Sequence, residues 1–325
     1  MAVRVGFVGC GGMAGGHINN WAQMKERGEA VELVAFCDLD RERAEAQAKR
    51  FDARAYDDFR PMLEKEELQA VYVVVPPHAH VGAEIEAARK GCAVFVEKPV
   101  ANTLETALEI QQAIEKAGVV NSVGYHFRYF ESTDHALKAL QGKTIGMVMG
   151  YWMGGMPGVP WWRRLDQSGG QFVEQTTHIF DLARYLAGDV EEVYAHAATR
   201  ALQEVENFTV TDVGAANLRF KSGAIGTIHN TCLLKMGYTT GLTVLTPDLI
   251  VELIGGCKLI EPGKRTEFSN RADPYQTEDQ VFLNAIRTGD TTAIRPSYAD
   301  GVKSLAVSLA ANESYQTGRP VQVRA

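Results

Sequence analysis

Three groups of residues in this 325-residue chain have types and spacings suited to chemistry. The first is Val94-Phe95-Val96-Glu97-Lys98-Pro99, an apolar run that ends abruptly on two opposite charges and a proline. Charge is costly to bury unless paired or used, and proline stops a sheet ladder. The run therefore reads as a buried strand whose end opens onto a ligand. The second group is Gly9-Cys10-Gly11-Gly12-Met13-Ala14, a G-x-G-x-x-[GA] pattern directly after the β-branched run Val3 to Val8. Gly9 permits a tight turn, Gly11 lets the backbone approach a pyrophosphate, and Ala14 allows close helix packing. The helix N-terminus then offers free N–H groups to phosphates. The third group is Glu174, His178, Asp181 and Tyr185. At about 100° per residue they share one stripe of a helix predicted over 169–188. A solvated stripe normally carries lysine, arginine and glutamate pairs. Acid, imidazole, acid and phenol instead suit proton transfer.

The elements that must position these groups alternate. "VELVAFCDLD" ends a strand at Asp38, and a helix runs from Arg41 to Phe51. The strand "AVYVVVPP", the helix "AEIEAARKG", the strand "CAVFVEKP", a helix from Leu104 to Ala117 and the strand "GVVNSVGY" follow. This order implies a doubly wound parallel sheet, a Rossmann unit, buried on both faces. Asp38 would accept from an adenosine ribose hydroxyl and repel a 2′-phosphate, which favours NAD over NADP. It would equally serve to cap the next helix, and Arg41 or Arg43 could still admit a phosphate. Pro76-Pro77-His78-Ala79-His80 follows the third strand and should border the cofactor. His80 either contacts it or caps the following helix. Glu97 either pairs locally or accepts from a ribose hydroxyl.

The later chain alternates polar and apolar residues in "TIGMVMGYW", "EVYAHAATRAL", "TVTDVGAANLRF" and "GAIGTIHNTCLL", with a hairpin turn at Lys221-Ser222-Gly223. That pattern suits an antiparallel sheet with one covered face. Between its first strand and the 169–188 helix lies "MGGMPGVPWWRRLDQSGG". Either Trp162 stacks on the C–H faces of a substrate while Arg163 donates to its hydroxyls or carboxylates, or the tryptophans fill core. Tyr125 and Arg128, in "GYHFRY", are further pocket candidates. The domain division expected from these patterns is 1–122 and 123–325.

Composition narrows the partners. The net charge is −7, with 46% hydrophobic and 22% charged residues. A mildly acidic surface argues against nucleic acid or an anionic membrane. The five cysteines are far apart and form no CxxC. We expect neither a disulfide framework nor a metal site, and a reducing, cytoplasmic setting. No apolar run reaches a membrane span, and the start enters a strand without a signal-peptide pattern.

Taken in order along nearly the whole chain, "GCGGMAGGH", "PPHAH", "EKP", "GGQFVEQTTHIFD" and "RPSYADGVKSLAVSLAANESYQTGRPVQV" resemble the glucose-fructose oxidoreductase / inositol dehydrogenase (Gfo/Idh/MocA) family. The resemblance implies an N-terminal Rossmann domain and a C-terminal α+β domain with a large, mostly antiparallel open sheet. It implies NAD(P)-dependent hydride transfer at a secondary alcohol of a sugar, a cyclitol or a related polyol. A homodimer or homotetramer built through the C-terminal sheet is implied too. The family's lysine beside nicotinamide and substrate falls on Lys98. Its D-x-x-x-H pair falls on Glu174 and His178, with glutamate in place of aspartate. With those roles, His178 is the principal acid–base group and Lys98 polarises the reacting oxygen. Glu174 holds His178 or binds a substrate hydroxyl. The same fold leaves room for redox-neutral NAD-dependent sugar chemistry, of glycosidase or epimerase type, and for a non-catalytic dinucleotide sensor.

Overall fold

The computed structural model describes residues 2–324. In chain order its elements begin with β1 (Val3–Val8), α1 (Gly12–Glu26), β2 (Val31–Cys37), α2 (Arg41–Phe51), β3 (Arg54–Tyr56), α3 (Phe59–Lys65), β4 (Ala70–Val73), α4 (Ala83–Arg89), β5 (Ala93–Val96), α5 (Leu104–Ala117) and β6 (Asn121–Val123). They continue with α6 (Glu131–Leu140), β7 (Met147–Met153), α7 (Leu165–Ser168), α8 (Gln171–Glu174), α9 (Thr177–Ala187), β8 (Val190–Ala198), β9 (Val213–Phe220), β10 (Ile225–Thr231), β11 (Thr239–Leu245), β12 (Ile250–Leu253), β13 (Cys257–Glu261) and β14 (Lys264–Phe268). The chain closes with α10 (Pro274–Thr288), α11 (Tyr298–Thr317) and β15 (Val321–Gln322). Among the described residues no helix is long and apolar enough to cross a membrane.

Two compact units result. The first joins residues 2–101, Glu105–His126 and Asp273–Asp300; the second joins Asn102–Leu104, Phe127–Ala272 and residues 301–324. The linear division at 122/123 therefore misses one return of the chain. Its physical cause is α10. Asp273 caps this helix by accepting from the Tyr275 N–H, and Pro274 starts it. Its Phe282 and Leu283 are fully buried in the core formed by Val5, Phe7, Tyr72 and Phe95. Burial of each such side chain contributes about 1.5–3 kcal/mol.

The sheet of the first unit runs β3-β2-β1-β4-β5-β6, and every pair is parallel. All residues of β4 and β5 are buried, as expected of strands covered on both faces. Because β1, β4 and β5 are neighbours and parallel, the loops after them leave one edge of the sheet.

The second unit holds a nine-stranded sheet in the order β14-β13-β12-β11-β7-β10-β9-β8-β15. Its one parallel pair is β7 with β10. The β9–β10 turn is the expected hairpin: Gly223 has φ +88° and donates to the Phe220 carbonyl at 2.9 Å. Helix α9 lies close on β7. A Cβ at Gly150 would come within 2.5 Å of the Ile179 side chain, so glycine is needed at that crossing.

The single helix expected over 169–188 is broken in two, α8 and α9. At the break the Thr176 N–H reaches back to the Gln171 carbonyl at 2.9 Å. The Thr176 hydroxyl accepts from the buried Asn230 amide at 2.8 Å. This wider turn takes Glu174 out of register with His178, Asp181 and Tyr185, which stay on α9.

Candidate functional site

In the first unit the glycine-rich loop has the geometry a dinucleotide needs. Gly9 has φ +91°, and a Cβ there would collide with the Val74 carbonyl of the neighbouring loop. A Cβ on Gly11 or Gly12 would meet nothing within 4 Å, so the space over the helix start is open. Helix α1 has no side-chain cap and no acid in its first turn, which leaves its N-terminal donors to an anion. Ala14 is buried against the sheet, while Met13 is exposed. Asp38 is half-buried at the end of β2. One oxygen accepts from the Cys10 N–H and the other from the Asp40 N–H, both at 2.8 Å. The Cys10 thiol is buried, and burial, with Asp38 nearby, pushes it up to about 12. Cys10 is thus a packing residue whose backbone ties the loop to Asp38. Arg43 is paired with Asp40 at 3.0 Å and Arg41 with Glu45 at 2.7 Å. These features fit NAD.

Pro76 is half-buried and Pro77 buried at the end of the β4 loop. His80 is buried too, with Nδ1 against the Glu84 carboxylate. Its Nε2 is shielded from solvent and has no protein partner. Tyr125 is fully buried in this unit, not open to a pocket. Lys98 is half-buried at the end of β5, and the Lys98–Pro99 bond is cis.

Of the two readings of Glu97, the structure shows the local pairing, because its carboxylate turns inward. One oxygen faces His17 Nε2 at 3.0 Å, and the other accepts the Lys98 backbone N–H at 3.0 Å. His17 Nδ1 faces Asp279 Oδ1 at 2.8 Å, and Asp279 also accepts from Tyr72 (2.9 Å) and Asn20 (2.7 Å). Asp279 and the second oxygen of Glu97 accept from these other groups, so the two carboxylates are placed to accept from both ring nitrogens. Burial opposes a charge on the ring, but Asp279 and Glu97 outweigh it and hold the imidazole well above its ordinary value. A third acid, Glu278, is fully buried with neither oxygen partnered. Burial pushes it well above the ordinary carboxyl range, aided by Glu97 and Asp279. Burial, with the charges of Lys98 and His17, pushes His126 down to about 3.

The spacing did not bring out this cluster, although its signal was there. His17 sits beside Ile18 on the buried face of α1. Glu278 and Asp279 precede Phe282 by four and three residues, on its face of α10. The cluster makes stability depend on pH. Both raised groups leave the folded state binding more protons than the unfolded chain, above 4.5 for Glu278 and above 6.5 for His17. His126, pushed down to about 3, works in the opposite sense up to its ordinary 6.5, so the fall in stability should show as pH rises above 6.5. Thermal unfolding followed by circular dichroism from about pH 6.5 to 9 checks this. The Tm should decline, and Glu278→Gln should flatten the slope; a Tm that climbs throughout would contradict the assignment.

In the second unit His178 is buried on α9 and stacks with Phe127 (centroids 5.0 Å) and Trp152 (5.6 Å). Trp162 corrects the stacking expectation. Its ring is fully buried in a small core with Val210 and Cys232, and its indole N–H donates to Glu174 at 2.8 Å. Glu174 is thereby an anchor for the loop. Arg128 is corrected as well. It is buried, and its guanidinium grips Asp181 through two bonds of 2.8 and 2.6 Å while lying over the Tyr185 ring. Ser304 completes Asp181 at 2.7 Å. Arg163 is half-buried. With Arg164, Gln167, Asn207 and Trp161 it lines a cavity of about 240 Å³, and its Nε is buried without a partner.

Residues 3–125 match the oxidoreductase family with an NAD-binding Rossmann fold, and residues 138–252 match the GFO/IDH/MocA C-terminal domain. The chain is 26% identical to the myo-inositol 2-dehydrogenase of Thermotoga maritima, over 99% of this chain and 98% of the relative. It is also 26% identical to the scyllo-inositol 2-dehydrogenase (NAD+) of Bacillus subtilis, over 99% and 96%. Among solved structures, the WlbA dehydrogenase of Bordetella pertussis in complex with NADH and UDP-GlcNAcA superposes with a TM-score of 0.86 at 28% identity, covering all of both chains. Loop, sheet order and relatives agree: the chain belongs to the Gfo/Idh/MocA family of NAD-binding oxidoreductases.

Proposed function

We propose that the protein oxidises a secondary alcohol of a cyclitol or sugar, with NAD as hydride acceptor. The observation that carries this is Lys98: a half-buried lysine, its backbone N–H held by a buried carboxylate, on the sheet edge that bears the open glycine-rich loop. The inositol dehydrogenases among the relatives support the substrate class. Bound nicotinamide supplies the hydride acceptor. Lys98 stabilises the oxygen as its proton leaves, and the imidazole of His178 is the candidate base of the second unit. Glu174 holds Trp162, and through it the loop that carries Arg163. Asp38 favours NAD by repelling a 2′-phosphate, and the carboxylates paired with Arg41 and Arg43 leave those arginines less available to one. Assembly as a homodimer or homotetramer through the large sheet and a cytoplasmic setting complete the reading; the five free cysteines suit a reducing compartment.

A panel of inositols, hexoses, amino sugars and sugar acids, assayed with NAD and NADP by nicotinamide absorbance, tests it. Reduced nucleotide should accumulate with a cyclitol or sugar, with kcat/KM at least about tenfold higher for NAD, roughly 1.4 kcal/mol. Failure of every panel member to yield reduced nucleotide, or a preference for NADP, would overturn the reading.

A further inference from the structure

We propose that His17 is a positioning residue for Lys98, acting through Glu97, and that helix α10 takes part by holding His17 in place. The proposal rests on the reading of Lys98 above. The geometry has three links, all inside the first unit. Asp279, on α10, grips His17 Nδ1 at 2.8 Å while also accepting from Tyr72 and Asn20. His17 Nε2 holds one oxygen of Glu97 at 3.0 Å, and the other oxygen holds the Lys98 N–H at 3.0 Å. Around this chain stand Glu278 and Tyr275 of α10, and His126, which stacks on Tyr275 at 4.0 Å. With His17 removed, Glu97 would keep a buried oxygen without a donor. It would turn or take up a proton, and the backbone of Lys98 would lose its anchor.

Gly124 offers an independent handle. A Cβ there would lie 2.7 Å from Glu97 Cδ, and Gly124 has no positive φ that an alanine would strain. Gly124→Ala therefore displaces Glu97 and leaves the side chains of His17 and Lys98 unsubstituted.

The test uses His17→Gln, Gly124→Ala and the double variant in the full-length protein. Two readouts are taken: steady-state kinetics, and the rate of reductive methylation of Lys98 without nucleotide, followed by peptide mass spectrometry. Each single variant should lower kcat about 10- to 100-fold with KM for NAD within about threefold, as misplacement of a reacting group by about 1 Å does. Each should change the methylation rate of Lys98 at least about threefold, and the double variant should do little more than either alone, since both act through Glu97. Folded single variants with wild-type Lys98 methylation, or additive effects in the double variant, would overturn the proposal. If methylation changes while kcat holds, the positioning stands and the catalytic reading of Lys98 falls. If His17→Gln fails to fold, Gly124→Ala alone decides by the same two readouts.

Discussion

Lys98→Ala is expected to lower kcat by about 10²- to 10⁴-fold, with the dissociation constant for NADH changed by no more than about threefold. The split follows from where the residue sits. The loop, Asp38 and the start of α1 that fit the dinucleotide lie on other elements, so binding of the cofactor does not depend on the ammonium. Its service is to the oxygen that loses a proton. That charge exists only on the way to the transition state, so an ammonium aimed at it raises kcat more than it lowers KM. Steady-state kinetics and a fluorescence titration of NADH measure both halves. A kcat within threefold of wild type would remove Lys98 from the chemistry.

The second large effect is one of stability. Arg128→Met should cost about 3–5 kcal/mol, read as a lowered urea midpoint by tryptophan fluorescence. Asp181 has no solvent exposure and would keep only the Ser304 hydroxyl. A buried carboxylate deprived of its guanidinium is strongly destabilising, whereas replacing both partners with apolar residues relieves most of the cost. Arg128→Met combined with Asp181→Leu should therefore recover much of the lost midpoint. By contrast Arg43→Ala, which breaks an exposed pair with Asp40, should change it by less than about 1 kcal/mol. A wild-type midpoint for Arg128→Met alone would show that the pair does not hold the second unit together.

The fold was legible where local pattern decides it. Continuous apolar runs announced β4 and β5, the glycine spacing announced the start of α1, and polar–apolar alternation announced the large sheet. The placement of Asp38 and Lys98 at strand ends was legible, because parallel topology alone brings those ends to one edge. It was illegible wherever a long-range partner decides a side chain's direction. Glu97 looked free to meet a ribose because nothing in "EKP" shows that an imidazole 80 positions earlier is waiting for it. Arg128 looked like a pocket residue because Asp181 is 53 positions away. Trp162 was open between stacking and core until Val210 and Cys232 enclosed it. The helix over 169–188 had a uniform period, but one buried threonine with a partner on β10 was enough to interrupt it.

The return of α10 to the first unit also has a consequence for how the chain is made. Synthesis proceeds from the N-terminus, and the sheet from β1 to β6 is complete in sequence by Val123. Yet Tyr72 and Phe95 wait for Phe282, and His17 waits for Asp279. The nascent nucleotide-binding unit therefore stays open along one side, with a buried-to-be imidazole in water, until the ribosome has translated past residue 288. The part of the protein that is begun first is among the last to be finished.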